Sequence, residues 1–180
     1  MTSPRALAAF LICLLPATAL AQMDADAPPE SPVIASLATI HGMTSGTILA
    51  TAEMLDAEMY AYQPTGDVRT TGQVLAHIAG AQYAFCSAAA GEENPNAENL
   101  EETATTKAEL VPALEAAFAY CQGVYDAMTD EEGATLRSFF GNQMAASAIL
   151  AFNTTHNYEH YGNLVTYMRI NGIVPPSSQQ

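Results

Sequence analysis

Residues 149–172 read ILAFNTTHNYEHYGNLVTYMRING. Within them Ile149, Asn153, His156, His160, Asn163 and Tyr167 fall at spacings of 4, 3, 4, 3 and 4, which sets them on one stripe of an α-helix. Asn171-Gly172, with Pro175-Pro176 just beyond, ends that helix. A stripe of this spacing normally carries apolar side chains, because it faces a core. Here polar groups occupy the seam, and leaving each one buried without a partner would cost roughly 1 to 3 kcal/mol. Something has to satisfy them.

Upstream lies the clearest helix of the chain. Thr106-Lys107-Ala108-Glu109 forms a capping box, and Leu110, Leu114, Ala117, Cys121, Val124 and Met128 follow at spacings of 4, 3, 4, 3 and 4. Pro112 removes one backbone donor and is expected to kink its early part. A loop from Asp130 to Gly141 joins this third helix to the fourth. Before it, Gly91 to Thr105 is acidic and rich in Asn, Glu and Pro, and reads as a long surface connection. The second helix starts at Thr70-Thr71-Gly72-Gln73, a threonine cap with glutamine three residues on. It carries Val74, Ile78, Ala81 and Phe85, and runs to about Ala90. Ile34, Leu37, Ile40, Ile48 and Leu55 mark the first helix, which stops before Gln63-Pro64-Thr65-Gly66. No strand alternation of useful length is visible. Four helices with one long crossover between helices 2 and 3 make an all-α four-helix bundle the economical fold.

The start of the chain reads differently. Arg5, the apolar run Ala6–Leu15 and Ala19-Leu20-Ala21 before Gln22 have the form of a secretory signal peptide over residues 1–21. Residues 22–32, rich in Asp and Pro, read as a disordered mature N-terminus, and the domain occupies residues 33–177. The apolar run is too short to span a bilayer, and no later segment approaches the roughly 20 apolar residues a span needs. The expected location is the periplasm or the exterior. Acidic residues number 19, against five Lys and Arg, for a formal charge of −14. That charge repels nucleic acid and anionic membranes, so neither is an expected partner. A homodimer through apolar surface on helix 1 or helix 4 is compatible with the sequence, although no motif specifies it. Outside the leader there are two cysteines, Cys86 and Cys121. In an oxidising compartment they would form one disulfide; the alternative is a pair of buried thiols.

His156 and His160, four apart, can converge on one ion, although an HxxxH pair alone is weak evidence. A third histidine strengthens it. His77 lies about 10 Å into the second helix and His160 about 17 Å from the end of the fourth, so the levels match if these helices run antiparallel. Three imidazoles with an open position are a common catalytic zinc arrangement, and the same nitrogens suit nickel, iron or copper. His41 is about 28 Å from the end of helix 1 and is expected at the surface or core edge, away from the metal. Cys86, nine residues after His77, should face away as well. Asn153, Asn163 and Glu159 are the candidates to support the histidines from behind. Tyr83, Tyr158 and Tyr161 read as core packing.

Two stretches, Thr71-Gly-Gln-Val-Leu-Ala-His77-Ile-Ala and His156-Asn-Tyr-Glu-His160 with its continuation to Pro176, resemble the DinB/YfiT-like metalloenzyme family. The resemblance covers roughly residues 34 to 177. It implies an up-down-down-up bundle in which one divalent transition metal is held by a histidine of helix 2 and an HxxxH pair of helix 4, here His77, His156 and His160. It also implies, for some members, thiol-dependent transferase or isomerase chemistry. Two functions follow as expectations. One is a metal-dependent hydrolase or thiol-dependent transferase using zinc, nickel or iron; the other is a non-catalytic exported binding protein whose metal is structural.

Overall fold

The computed structural model describes residues 29–96 and 98–179; the leader-like segment 1–21 and residues 22–28 of the segment expected to be disordered lie outside the described residues. The described chain is mostly helical. Its elements are α1 (Pro32–Met54), α2 (Ala57–Ala61), α3 (Thr71–Ala90), α4 (Leu100–Thr103), α5 (Lys107–Ala127), α6 (Asp130–Gly133), β1 (Leu136–Phe139), β2 (Asn142–Ala145) and α7 (Ala146–Ile170). Pro32, read from sequence as part of the segment before the domain, is the first residue of α1. Proline fits there because the first helical N–H has no intrahelical acceptor.

Local sequence sets the helix ends. At α3 the Thr70 side chain accepts from the Gln73 N–H at 3.1 Å while the Thr70 N–H donates to Gln73 Oε1 at 2.9 Å. Gly91, at φ +77°, closes the same helix in the left-handed conformation glycine tolerates. Thr106 and Glu109 form the capping box of α5, which continues through Pro112. The expected first helix is broken in two, since Leu55 leaves the helical region and Asp56 caps the short α2 through the Met59 N–H at 3.0 Å.

Four long helices, α1, α3, α5 and α7, pack together, with α3 and α1 each touching both α5 and α7. The core has two apolar layers. Ile48, Leu75, Ile78, Leu110, Leu114, Leu164 and Met168 form one; Ile34, Phe85, Cys86, Cys121, Tyr125, Ile149 and Leu150 form the other. His41, Gln82, Asn153 and Asn157 are buried polar residues linked by hydrogen bonds. Cys86 and Cys121 are joined as a disulfide across α3 and α5, with their Cα atoms 5.3 Å apart.

Three expectations need correction. The loop from Asp130 to Gly141 contains α6 and most of an antiparallel hairpin, β1 pairing Leu136 with Ala145 through Phe139 with Asn142. Four-residue strands are too short to show an alternation that decides anything. By length and composition α1 alone among the described helices could cross a membrane, contrary to the reading that no later segment comes near it. Its Ile34, Ile48 and Ala52 are nevertheless buried, and so are the polar His41, Thr44 and Thr51. Finally, His41 is fully buried, 1 % exposed, and bonds to Gln82 instead of sitting at the surface.

Candidate metal centre

His77 comes from the second turn of α3, His156 and His160 from the middle of α7. Contacts pair Tyr167 with Arg69, His160 and His156 with His77, and Asn153 with Gln82, so numbers rise along α3 as they fall along α7. That antiparallel run brings the three histidines level. The Nε2 atoms of His77 and His160 lie 3.2 and 3.1 Å from Nε2 of His156. The three potential ligand nitrogens all fall within 4.8 Å of one another, so the group could hold a metal ion. For bonds of about 2.0–2.1 Å, tetrahedral coordination puts nitrogens about 3.3 Å apart, which the two short spacings approach. The donor set fits a divalent transition metal.

Burial and neighbouring charge keep His156 and His160 ready to bind a cation. Burial, followed by the charges of His160, His77 and Arg69, pushes the His156 pKa down to about 4. His160 is lowered as well, first by burial and then by the neighbouring charge of His77. Neutral imidazoles with free lone pairs are what metal coordination requires.

The residues behind the histidines differ from those expected. His77 Nδ1 donates to Glu101 Oε1 at 2.8 Å, and Glu101 is held in turn by Arg69, whose Nε donates to Oε2 at 2.8 Å. Burial raises the Glu101 pKa, but its bonds to Arg69 and His77 outweigh that and leave it below the usual carboxylate value. A carboxylate on the second ring nitrogen fixes the tautomer with Nε2 free for metal. Glu101 sits on α4, in an acidic stretch where nothing in the sequence distinguishes it from Glu98 or Glu102. Asn163 does approach His160, its Nδ2 lying 3.4 Å from Nδ1. Asn153 does not support a ligand. Its Nδ2 donates to Gln82 Oε1 at 2.8 Å and to Cys121 Sγ at 3.1 Å. Glu159 is exposed and bonds to none of the histidines among the described residues. His156 Nδ1 is buried without a partner among the described residues.

Cys86 is turned into the core, as its position relative to His77 implies, and His41 stands outside the histidine group. Of the three tyrosines, Tyr161 is buried with its hydroxyl donating to Ser177 Oγ, Tyr83 packs on Tyr120, and Tyr158 is exposed, against expectation. A polar cleft of about 730 Å³ opens beside His160; Arg69, Gln73, Glu101, Glu159 and Asn163 line it.

The DinB superfamily model matches residues 44–164. No curated protein matches the chain. Among solved structures, a DinB-like protein from Bacillus subtilis is similar with 20% identity and a TM-score of 0.62, over 76% of this chain and 92% of its own. A DinB-like protein from Bacillus cereus has 19% identity and a TM-score of 0.71, over 79% and 95%. A mycothiol-dependent maleylpyruvate isomerase has 16% identity and a TM-score of 0.60, over 73% and 60%. At these identities the structural likeness speaks to the fold, and the family model to membership. The chain, matched over most of its length, belongs to the DinB superfamily.

Proposed function

We propose that the protein is an exported metalloenzyme that binds one zinc, nickel or iron ion through His77, His156 and His160 and attacks an electrophilic substrate with water. The observation that carries this is the convergence of three imidazole nitrogens beside an open polar cleft. A divalent ion at such a site lowers the pKa of a water or thiol nucleophile toward neutrality. Glu101 and Arg69 orient His77, and Glu159, exposed in the cleft, is placed to accept a proton. Water is favoured over a thiol cofactor because the cleft holds Asp67, Glu101 and Glu159 against one cation, Arg69, already engaged by Glu101. The isomerase among the structural neighbours keeps thiol chemistry as the second reading.

The scaffold in this proposal is an up-down-down-up bundle. The antiparallel pairing of α3 with α7 supports it, as does the joint rise of the α3–α5 pairs Tyr83–Tyr120 and Cys86–Cys121. Export rests on the apolar run Ala6–Leu15 and the cysteine pair.

Elemental mass spectrometry of protein purified without chelator tests the metal directly. The expectation is about one equivalent of a transition metal, lost in His77→Ala and in His156→Ala. Absence of metal after soaking with zinc and nickel would sink the proposal. Turnover of a neutral ester panel that follows metal occupancy would mark an enzyme; a metal that changes only the melting temperature would mark a structural staple.

A further inference from the structure

A second cleft, of about 370 Å³, shares His77, His156 and Glu101 with the metal centre but is otherwise largely apolar. Its floor is α3, where Ala76, Gly80 and Ala84 recur at every fourth position. A methyl group added at Gly80 would meet nothing within 4 Å, so the groove is open at a position where a larger side chain would have been tolerated. Phe85 of α3, Phe152 of α7 and Phe140 also line it. The Phe85 ring centroid lies 5.1 Å from that of His156 and 5.4 Å from that of Phe152.

Phe140 supplies an independent observation. It occupies the β1–β2 turn at φ +48°, followed by Gly141 at φ +77°. Two left-handed residues in a two-residue hairpin turn favour Asn-Gly, and a bulky residue in the first position is disfavoured. Phe140 is also 72 % exposed, with its ring centroid 6.0 Å from Phe85 and 6.1 Å from Phe152. Its ring also touches the buried Phe139, centroids 4.3 Å apart, but most of the side chain stays in solvent, so turn chemistry disfavours a phenylalanine here and burial repays little of that cost. A conformational cost held beside a candidate site points to use of the side chain.

We propose that this cleft receives the hydrocarbon portion of the substrate, an aromatic ring or a short acyl chain, with Phe140 covering it and the reacting polar group at the three histidines. A ring fits a cavity of about 150 Å³, so the cleft has room for a ring and its linker. The assignment deepens the metalloenzyme reading and rests on it for the position of the reacting group; the cleft itself is testable without metal.

The test pairs two probes on the full disulfide-bonded protein. Acetohydroxamate and benzohydroxamate share a metal-binding head and differ in the hydrocarbon group, and calorimetry on zinc-loaded protein compares their affinities. Benzohydroxamate should bind about tenfold more tightly or better. Gly80→Leu, which fills the groove, and Phe140→Asn, which suits the turn, should each bring that ratio close to one. Acetohydroxamate affinity and zinc stoichiometry should not change, and Phe140→Asn should melt no lower than wild type. Equal affinities in wild type, or a ratio retained in both variants, would overturn the proposal. The uncharged fluorophore N-phenyl-1-naphthylamine, titrated into metal-free protein, separates the two readings. Binding that Gly80→Leu removes supports the cleft even where neither hydroxamate binds, an outcome that instead counts against the metal centre; no binding in wild type overturns the cleft.

Discussion

At His77 the imidazole is held from behind by Glu101, and Glu101 by Arg69, so one ring nitrogen is committed and the other is left for the ion. Glu101→Gln keeps an acceptor near Nδ1 but removes the charge that favours the Nδ1–H tautomer and pairs with Arg69. Metal affinity should fall about 10- to 100-fold, read by competition with a chromophoric chelator. The melting temperature of the metal-free variant should change little, since the ion pair is partly exposed. Protonation gives a second residue-level prediction. The His156 pKa is about 4 in the folded chain against a usual value of 6.5, so the unfolded chain binds this proton more readily. His41, lowered by burial, acts in the same direction. Stability of the metal-free protein should therefore be fully present above pH 6.5 and decline as pH falls below it. Thermal melts from pH 7 to 5.5, where carboxylates of ordinary pKa stay almost fully ionised, should show that decline, with a shallower slope in His156→Ala.

Among the elements, α1 shows a cap that sequence proximity could not reveal. Ser31, the residue before the helix, makes no side-chain capping bond. Asp130 does so from the start of α6, its Oδ2 and Oδ1 accepting the Val33 and Ile34 N–H groups at 3.1 and 2.9 Å. The carboxylate also lies at the positive end of the helix dipole. Asp130→Ala should cost about 1 kcal/mol in urea unfolding, while metal stoichiometry stays unchanged. The caps of α3 and α5 were readable because the threonine and its partner are three residues apart. The cap of α1 was not, because its partners are nearly a hundred residues apart. The β1–β2 hairpin was hidden for another reason: its strands are four residues long and Phe140-Gly141 does not look like the turn it makes.

For the whole molecule, the disulfide and the buried polar residues tie the helices together. Gln82 of α3 accepts from His41 Nε2 of α1 at 3.0 Å and donates to Asn157 Oδ1 of α7 at 2.7 Å, while Asn153 reaches the sulfur of Cys121 on α5. All four long helices thus meet in one network. The Cys86–Cys121 bridge closes a separation of 35 residues, which by chain entropy stabilises the fold by about 3 to 4 kcal/mol. The double variant Cys86→Ala/Cys121→Ala should lose about that much in urea unfolding. Metal uptake at the three histidines should be the same as in wild type, because Cys86 is turned into the core, away from them.

The sequence by itself determined the helical class, the caps of α3 and α5, the stripe on α7 and the three histidines of the candidate metal centre. Each of these depends on spacing within one segment, where helical geometry converts residue number directly into position. Only the tertiary structure decided which carboxylate stands behind His77, that Asn153 belongs to the buried network instead of the metal, and that His41 is interior. It alone brought Asp130 to the start of α1 and three phenylalanines to one cleft beside the histidines. Those relations join residues from different segments, and their distances are set by how the helices pack, which no spacing along a single helix encodes.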